Sequence, residues 1–217
     1  MLKYGKNIIF DPEKLDPLNI DRQSTGLISN DSKVFEIGCA TGFMGEYLIR
    51  KKHCYVVGIE RGIEESKEAK RRLNEVIDGD IEEKGTLERI NEKFDVVLAS
   101  AIIEHLKDPW RSLTSWKKFL KKDGFLIIST SNVAHWSIRL SLLMGKFDYR
   151  EYGILDNTHL RFFTTETFKK LVADCGYKIE YFSIDPVGGG LPRISKVLSK
   201  LWPNLFAYQM LIKAKPE

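Results

Sequence analysis

Residues 34–42 read Val34-Phe35-Glu36-Ile37-Gly38-Cys39-Ala40-Thr41-Gly42, an apolar run that passes into a turn of small residues, and a helical pattern follows from Phe43 to Arg50. Small side chains let a ligand approach the backbone closely. The free N–H groups of a helix that starts beyond Gly42 favour an anion, either phosphate or carboxylate. Two phosphate chemistries do not fit the spacing. A P-loop ends in Gly-Lys-Ser/Thr, where this chain has Gly42-Phe43-Met44, and the dinucleotide fingerprint needs a second glycine where Ala40 stands.

A loop of this kind works only at the end of a strand, and the rest of the chain supplies such a frame. From Lys33 onward, short runs rich in Val, Ile and Phe alternate with longer charged segments, which predicts strands and helices in turn. Residues 34–37, 55–59, 96–99 and 125–128 are nearly all apolar, as expected of parallel strands covered by helices on both faces. Residues 177–184 form a further strand. Residues 206–212, with no helix after them, read as a last, antiparallel strand, the sixth run placed in a sheet expected to hold seven. The expectation is a doubly wound α/β domain spanning residues 1–217, with ligands outside the carboxyl ends of the strands. Asp108 and Pro109 read as N-cap and first helical position of a helix running towards Leu120, and Asp123-Gly124 as the turn after it. Thr164 caps a later helix that Gly176 ends. Residues 1–30 read as an extended lead-in with a short helix near Gln23.

Two insertions break the alternation. Residues 131–163 far exceed the usual ~2 to 6 residues of such a connection, and loops of that length are commonly functional. This one carries His135, Trp136, Arg139, Phe147, Tyr149, Arg150, Tyr152, Asp156, His159, Arg161 and Phe162. Residues 186–203 place Ile194, Val197, Leu198, Leu201 and Trp202 at helical spacing, with Arg193, Lys196 and Lys200 on another face. Trp136, Ile138, Leu140, Leu142, Leu143 and Met144, or the second stretch, read as core packing first, with peripheral contact to lipid beside Arg139 and Lys146 as the alternative.

Composition bounds the functional classes. With 217 residues, 43% hydrophobic and 29% charged, the chain reads as a soluble globular protein. Lys plus Arg exceed Asp plus Glu by only 34 to 30, and aromatic residues do not alternate with the basic clusters, so no nucleic-acid partner is expected. Three cysteines without CxxC spacing suggest a reducing, cytoplasmic setting, and no four-ligand Cys/His set predicts a metal. Asp11, Glu13 and Asp16 interrupt the start of the chain, so no signal peptide is expected. The longest apolar run, residues 96–103, falls far short of the ~20 residues a bilayer demands.

Glu36-x-Gly38-x-Ala40-x-Gly42 resembles motif I of the class I S-adenosylmethionine-dependent methyltransferases, with Ala40 in place of a glycine. The likeness extends over about residues 33–213 and implies a Rossmann-like fold. It implies that Glu36, Gly38, Cys39, Ala40 and Gly42, and Arg61 after the second strand, line the cofactor. Glu60, 18 residues beyond Gly42 at the end of the second strand, sits where an acid would accept bonds from two ribose hydroxyls; the plainer reading is a strand-end carboxylate facing water or Arg61. Asp80 matches the family's acid near the adenine amino group, with Ile81 lending backbone and an apolar face. Ser100 and Ala101, with His105 in the turn after them, should border the methionine portion. The strings at residues 132–139 and 155–164 are similar to bacterial methyltransferases related to the ubiquinone O-methyltransferases and to those associated with surface-polysaccharide synthesis. The resemblance implies S-adenosylmethionine as cofactor, a small-molecule acceptor, and residues 131–163 as a lid over it. A hydroxyl nucleophile benefits from a base, for which His105, His135, His159 and Asp156 are the candidates, with structural roles as the alternative. A cofactor-binding module without turnover and a nucleic-acid methyltransferase are the rival readings; no Asn/Asp-Pro-Pro-Tyr/Phe motif supports the latter.

Overall fold

The computed structural model describes residues 9–186 and 196–217. Seven strands form one sheet: β1 (Lys33–Ile37), β2 (Tyr55–Glu60), β3 (Glu75–Asp78), β4 (Phe94–Ala99), β5 (Leu120–Ser131), β6 (Tyr177–Asp185) and β7 (Gln209–Pro216). Their order is β3-β2-β1-β4-β5-β7-β6. β7 runs antiparallel to both neighbours, whereas the pairs from β3 to β5 are parallel. The order reverses between β1 and β4, and the crevice at that switch point is where ligands of doubly wound sheets bind.

Successive residues of β1 face opposite sides, which is why its sequence shows no polar face. Val34 joins Val56, Val96 and Leu98 under α1 (Ile20–Gly26) and α2 (Phe43–Lys52), through Ile20, Met44 and Leu48. Phe35 and Ile37 join Val57 and Val97 on the other face, covered by Leu113 and Trp116 of α5 (Pro109–Trp116) and by Phe168 and Leu171 of α7 (Thr165–Asp174). α3 (Ile63–Ala69) and the short α4 (Lys84–Glu88) complete the crossovers between β2, β3 and β4. Thr164 caps α7 in a reciprocal pair with Thr167, and Gly176 follows at φ 71°.

Several boundaries differ from expectation. The helix after Asp108 stops at Trp116 and tightens into a 3₁₀ turn, Lys117–Phe119. Asp123 and Gly124 lie inside β5 rather than at a turn, beside a register shift against β4. A side chain at Gly124 would sit 2.8 Å from the Phe94 carbonyl oxygen, so the close backbone approach accounts for the glycine. The last strand begins at Gln209, because Pro203 opens a helical turn, α8 (Pro203–Phe206), that holds Phe206 outside the sheet.

The first insertion is anchored at both ends: Asn132 bridges to Phe163, Val133 N–H donates to the Phe163 carbonyl at 2.9 Å, and the Asn132 amide donates to the carbonyls of Asn204 and Ala207 at 2.8 Å. Between these ends it holds α6 (Trp136–Leu143), none of whose residues is buried. Core packing is therefore overturned for Leu140, Leu142, Leu143 and Met144, which are about half or more exposed, Leu143 at 85%. In the same insertion, Phe147 packs edge-on against Tyr149 and Phe162, with ring centroids 5.5 and 5.8 Å apart. In the second insertion Val197, Leu201 and Trp202 are exposed, while Arg193 and Ile194 lie outside the described residues. Among the described residues no helix is long and apolar enough to cross a membrane.

Candidate functional site

Three residues of the loop after β1 adopt left-handed backbone: Gly38 at φ 69°, Ala40 at 48° and Gly42 at 76°. The alternation folds the chain into a tight turn, closed by the Gly42 N–H donating to the Cys39 carbonyl at 2.8 Å. Gly38 is required twice, since a Cβ there would also lie 2.7 Å from Ile102 Cδ1. Ala40 holds the same region with a methyl group, a conformation that disfavours any residue with a Cβ. Gly42 caps α2 without a side-chain bond.

Glu60, at the end of β2, ties this loop to the neighbouring strand. One carboxylate oxygen accepts the Ala40 N–H at 2.9 Å and the other accepts the Gly62 N–H at 2.7 Å. The N–H groups of Gly38 and Cys39 both donate to the Ile59 carbonyl, at 2.9 and 3.1 Å. One step further along the sheet, Asp80 accepts the Glu82 N–H at 2.9 Å, and Arg61 reaches its carboxylate at 3.9 Å.

Along these strand ends runs a crevice. Its larger part, a cavity of about 400 Å³, is lined by Glu36, Gly38, Cys39, Ala40, Glu60, Arg61, Ser100, Ala101 and His105 among others. A smaller recess of about 40 Å³ shares Gly38, Glu60, Arg61 and His105 and adds Asp80 and Ile81. Eleven of the twelve residues expected at the cofactor are thus brought together; Gly42 instead backs against Ala69 and Leu73. Asp21, Ile102, Thr158 and Gln209 also line the cavity, and sequence reasoning missed all four. Thr158 stood within a quoted string, but nothing local marks Asp21 or Gln209.

The cavity wall is acidic. Glu36 is 5% exposed and its Oε2 has no partner. Burial pushes its carboxyl up to about 8; the Gly45 N–H opposes the rise, and Asp21 and Glu60 add to it. Gly45 makes room for this carboxylate, since a Cβ there would meet Glu36 Oε2 at 2.6 Å. Burial also drives the Cys39 thiol well above its ordinary range.

Of the four candidate bases, only His105 lines the crevice. Its Nδ1 lies 3.2 Å from the Thr158 carbonyl oxygen and 3.1 Å from its hydroxyl, and its ring packs edge-on against His159 at 4.7 Å. His159 Nδ1 meets the Ile154 carbonyl at 3.0 Å. Asp156 is buried and accepts both the N–H and the hydroxyl of Thr158, at 2.9 and 2.6 Å. His135 is fully buried, caps α6 by accepting the Ser137 N–H at 3.4 Å, lies 2.8 Å from Ser137 Oγ, and is pushed down to about 4 by burial, which keeps it neutral near pH 7. Glu104, unremarked in the sequence, anchors this corner. Its carbonyl accepts the N–H groups of Leu160 and Arg161 at 2.7 and 3.0 Å, and burial pushes its carboxyl up to about 7, with Asp156 adding to the rise.

Comparison with known proteins agrees with this geometry. The sequence profile of a family described as "Methyltransferase domain" matches residues 13–181. The chain is 30% identical over 131 residues to a ubiquinone biosynthesis O-methyltransferase of Actinobacillus pleuropneumoniae, covering 54% of each chain. It is 24% identical over 174 residues to a malonyl-[acyl-carrier protein] O-methyltransferase of Paenibacillus, covering 76% of this chain and 62% of the relative. The chain spans about half the length of the first of these curated relatives. Among solved structures, an Archaeoglobus fulgidus S-adenosylmethionine-dependent methyltransferase superposes with a TM-score of 0.63 at 21% identity, covering 89% of this chain and 90% of that one. The magnesium protoporphyrin IX methyltransferase of Synechocystis superposes at 0.61 and 14% identity, covering 91% and 82%. A family match over most of the chain, on a fold with its ligand crevice at the switch point, makes this chain a member of the methyltransferase-domain family, whose cofactor is S-adenosylmethionine.

Proposed function

We propose that the chain transfers a methyl group from S-adenosylmethionine to an oxygen of a small-molecule acceptor. The observation that carries this reading is the crevice itself, where the β1 loop and the β2 carboxylate Glu60 face one cavity and are bonded to each other. The residues present fit the cofactor: left-handed turns at Gly38 and Ala40 bring the backbone to the cavity, and Glu36 lines it, with its Oε2 buried beside Gly45 and without a partner. When bound, S-adenosylmethionine would supply a sulfonium-activated methyl carbon for in-line attack by the acceptor oxygen, with the neutral thioether as leaving group.

The chain's own task is positioning, which can supply a large share of such a barrier. Glu60 would hold the ribose: each of its oxygens accepts one N–H and retains a lone pair for a hydroxyl. Asp80 and Ile81, in the narrow recess beyond it, would take the adenine edge, and Ser100, Ala101 and the loop from Gly38 to Ala40 the amino-acid end. His105 is the base best placed to accept an acceptor hydroxyl proton. His159, Thr158 and Asp156 would fix its ring, and residues 131–163 would cover the acceptor. O-methylation is preferred because relatives of two kinds are named as O-methyltransferases.

Incubation with methyl-labelled cofactor and a panel of small hydroxylated acceptors, followed by mass spectrometry, tests the reading. One acceptor should gain the mass of a single methylene and carry the label. Tight binding of the cofactor with no labelled small molecule from any extract would overturn transfer to a small acceptor.

A further inference from the structure

His105 ends the 3₁₀ turn that follows β4, Ile103–His105, and the first insertion grips this turn on both sides of the histidine. The Glu104 carbonyl accepts the N–H groups of Leu160 and Arg161, and the Lys107 carbonyl accepts the Arg161 guanidinium through Nε at 3.2 Å and Nη2 at 2.6 Å. The His159 ring packs against His105, with the Phe162 ring 6.2 Å beyond it. These contacts fix where the imidazole sits. A second set decides where its proton sits.

Asp156 Oδ1 accepts the Thr158 N–H at 2.9 Å and the Thr158 hydroxyl at 2.6 Å. A hydroxyl has one proton to give. Asp156 takes it, so Thr158 Oγ meets His105 Nδ1 at 3.1 Å as an acceptor. The Thr158 carbonyl, 3.2 Å from the same nitrogen, can only accept. An unprotonated Nδ1 would set its lone pair against both oxygens. The neutral ring therefore carries its proton on Nδ1 and its lone pair on Nε2. His135, in the same insertion, is the reverse case: its Nδ1 accepts the Ser137 N–H, which leaves the ring proton on Nε2.

We propose that Thr158, held by Asp156, is a positioning residue that locks His105 in the tautomer whose Nε2 can take a proton from the acceptor. The proposal rests on the reading of His105 as the base. It makes the insertion part of the base as well as a cover, because Thr158 and Asp156 both belong to it. As the acceptor oxygen attacks, its bond to the methyl carbon forms, the carbon–sulfur bond breaks with its electron pair on sulfur, and the hydroxyl proton passes to Nε2. The imidazolium keeps its Nδ1–H on Thr158 and afterwards returns the Nε2 proton to solvent. In the other tautomer Nε2 already holds a proton, and the transfer is blocked.

The test is long-range proton–nitrogen correlation NMR on protein labelled with ¹⁵N-histidine, at a pH where the rings are neutral; His105→Gln identifies the His105 signals by their loss. In wild type, His105 should carry its proton on Nδ1, and His135 on Nε2. Thr158→Val keeps the carbonyl and removes the hydroxyl, so the ratio of the two His105 tautomers should fall roughly three- to tenfold, the range for one neutral hydrogen bond. Asp156→Asn should act in the same direction, since an amide can donate to Thr158 Oγ and turn the hydroxyl proton towards Nδ1. Thr158→Ser should restore the wild-type ratio. Unchanged His135 signals show that the insertion is folded, so a shift confined to His105 reports on the lock. A wild-type His105 protonated on Nε2, or a Thr158→Val ratio equal to wild type, would overturn the lock and leave His105 as a base held by other means. Unchanged kcat in His105→Ala with an identified acceptor would overturn the base reading, and the lock's part in methyl transfer with it, whatever the tautomer.

Discussion

Replacing Glu36 by glutamine should stabilise the ligand-free protein at alkaline pH and leave it nearly unchanged in acid. Glu36 is 95% removed from solvent, and one of its oxygens has no donor. Burial raises its carboxyl from the ordinary 4.5 to about 8. A raised acid is protonated in the folded state where it is already ionised in the unfolded chain. Its contribution is therefore fully present below about pH 4.5 and is lost as pH climbs through about 8. At about 1.4 kcal/mol per pH unit of separation, the loss approaches roughly 4 to 5 kcal/mol, an upper figure because water entering the cavity relaxes a buried charge. Glutamine has the same shape and no charge, so it escapes the loss. Urea unfolding at pH 5, 7 and 9 should show the variant within about 1 kcal/mol of wild type at the first and more stable by several kcal/mol at the last. Glu104, raised to about 7 in the same way, is common to both proteins and cancels in the difference. A stability difference that stays constant from pH 5 to 9, or a variant less stable than wild type at pH 9, would refute the argument that Glu36 is an uncompensated buried acid.

Ala40 holds φ 48° with a methyl group; Ala40→Gly should raise stability by about 0.5 to 1 kcal/mol, the left-handed strain less glycine's extra unfolded freedom, seen as a rise of about 1 to 4 °C in Tm. Gly38→Ala should do the opposite, since φ 69° and the 2.7 Å approach to Ile102 both oppose a Cβ; a variant that melts like wild type and binds S-adenosylhomocysteine equally well would contradict the account of the loop. Once an acceptor is identified, His105→Ala should lower kcat roughly a hundredfold, and unchanged kcat would remove His105 as the base.

The sheet was legible because its central strands are buried on both faces. Val34 to Ile37 and Val96 to Ala99 carry no polar face at all apart from Glu36, and the small-residue turn marks the crevice beside it. The end of the chain was harder to read, since Met210, Leu211 and Ile212 are buried together without alternation, and Pro203 starts a helical turn within a stretch that otherwise resembles strand. α6 was misread for a related reason: apolar spacing tells that a helix has an apolar face, not that anything covers it. Asp21 left no local trace. Its significance comes from Ser100, 79 residues away, and from a helix held by Ile184, 161 residues beyond Gln23. Glu104 was hidden in the same way, its burial produced by segments that return from residues 131 and 160–161.

The most direct test of the central claim is a crystal structure of the protein with S-adenosylhomocysteine. The adenine should lie beside Asp80 and Ile81, both ribose hydroxyls should donate to Glu60, and the amino-acid end should cross the turn from Gly38 to Ala40 towards Glu36. Adenosine bound away from Glu60, or a turn after β1 closed by its own side chains with the ligand elsewhere, would contradict it.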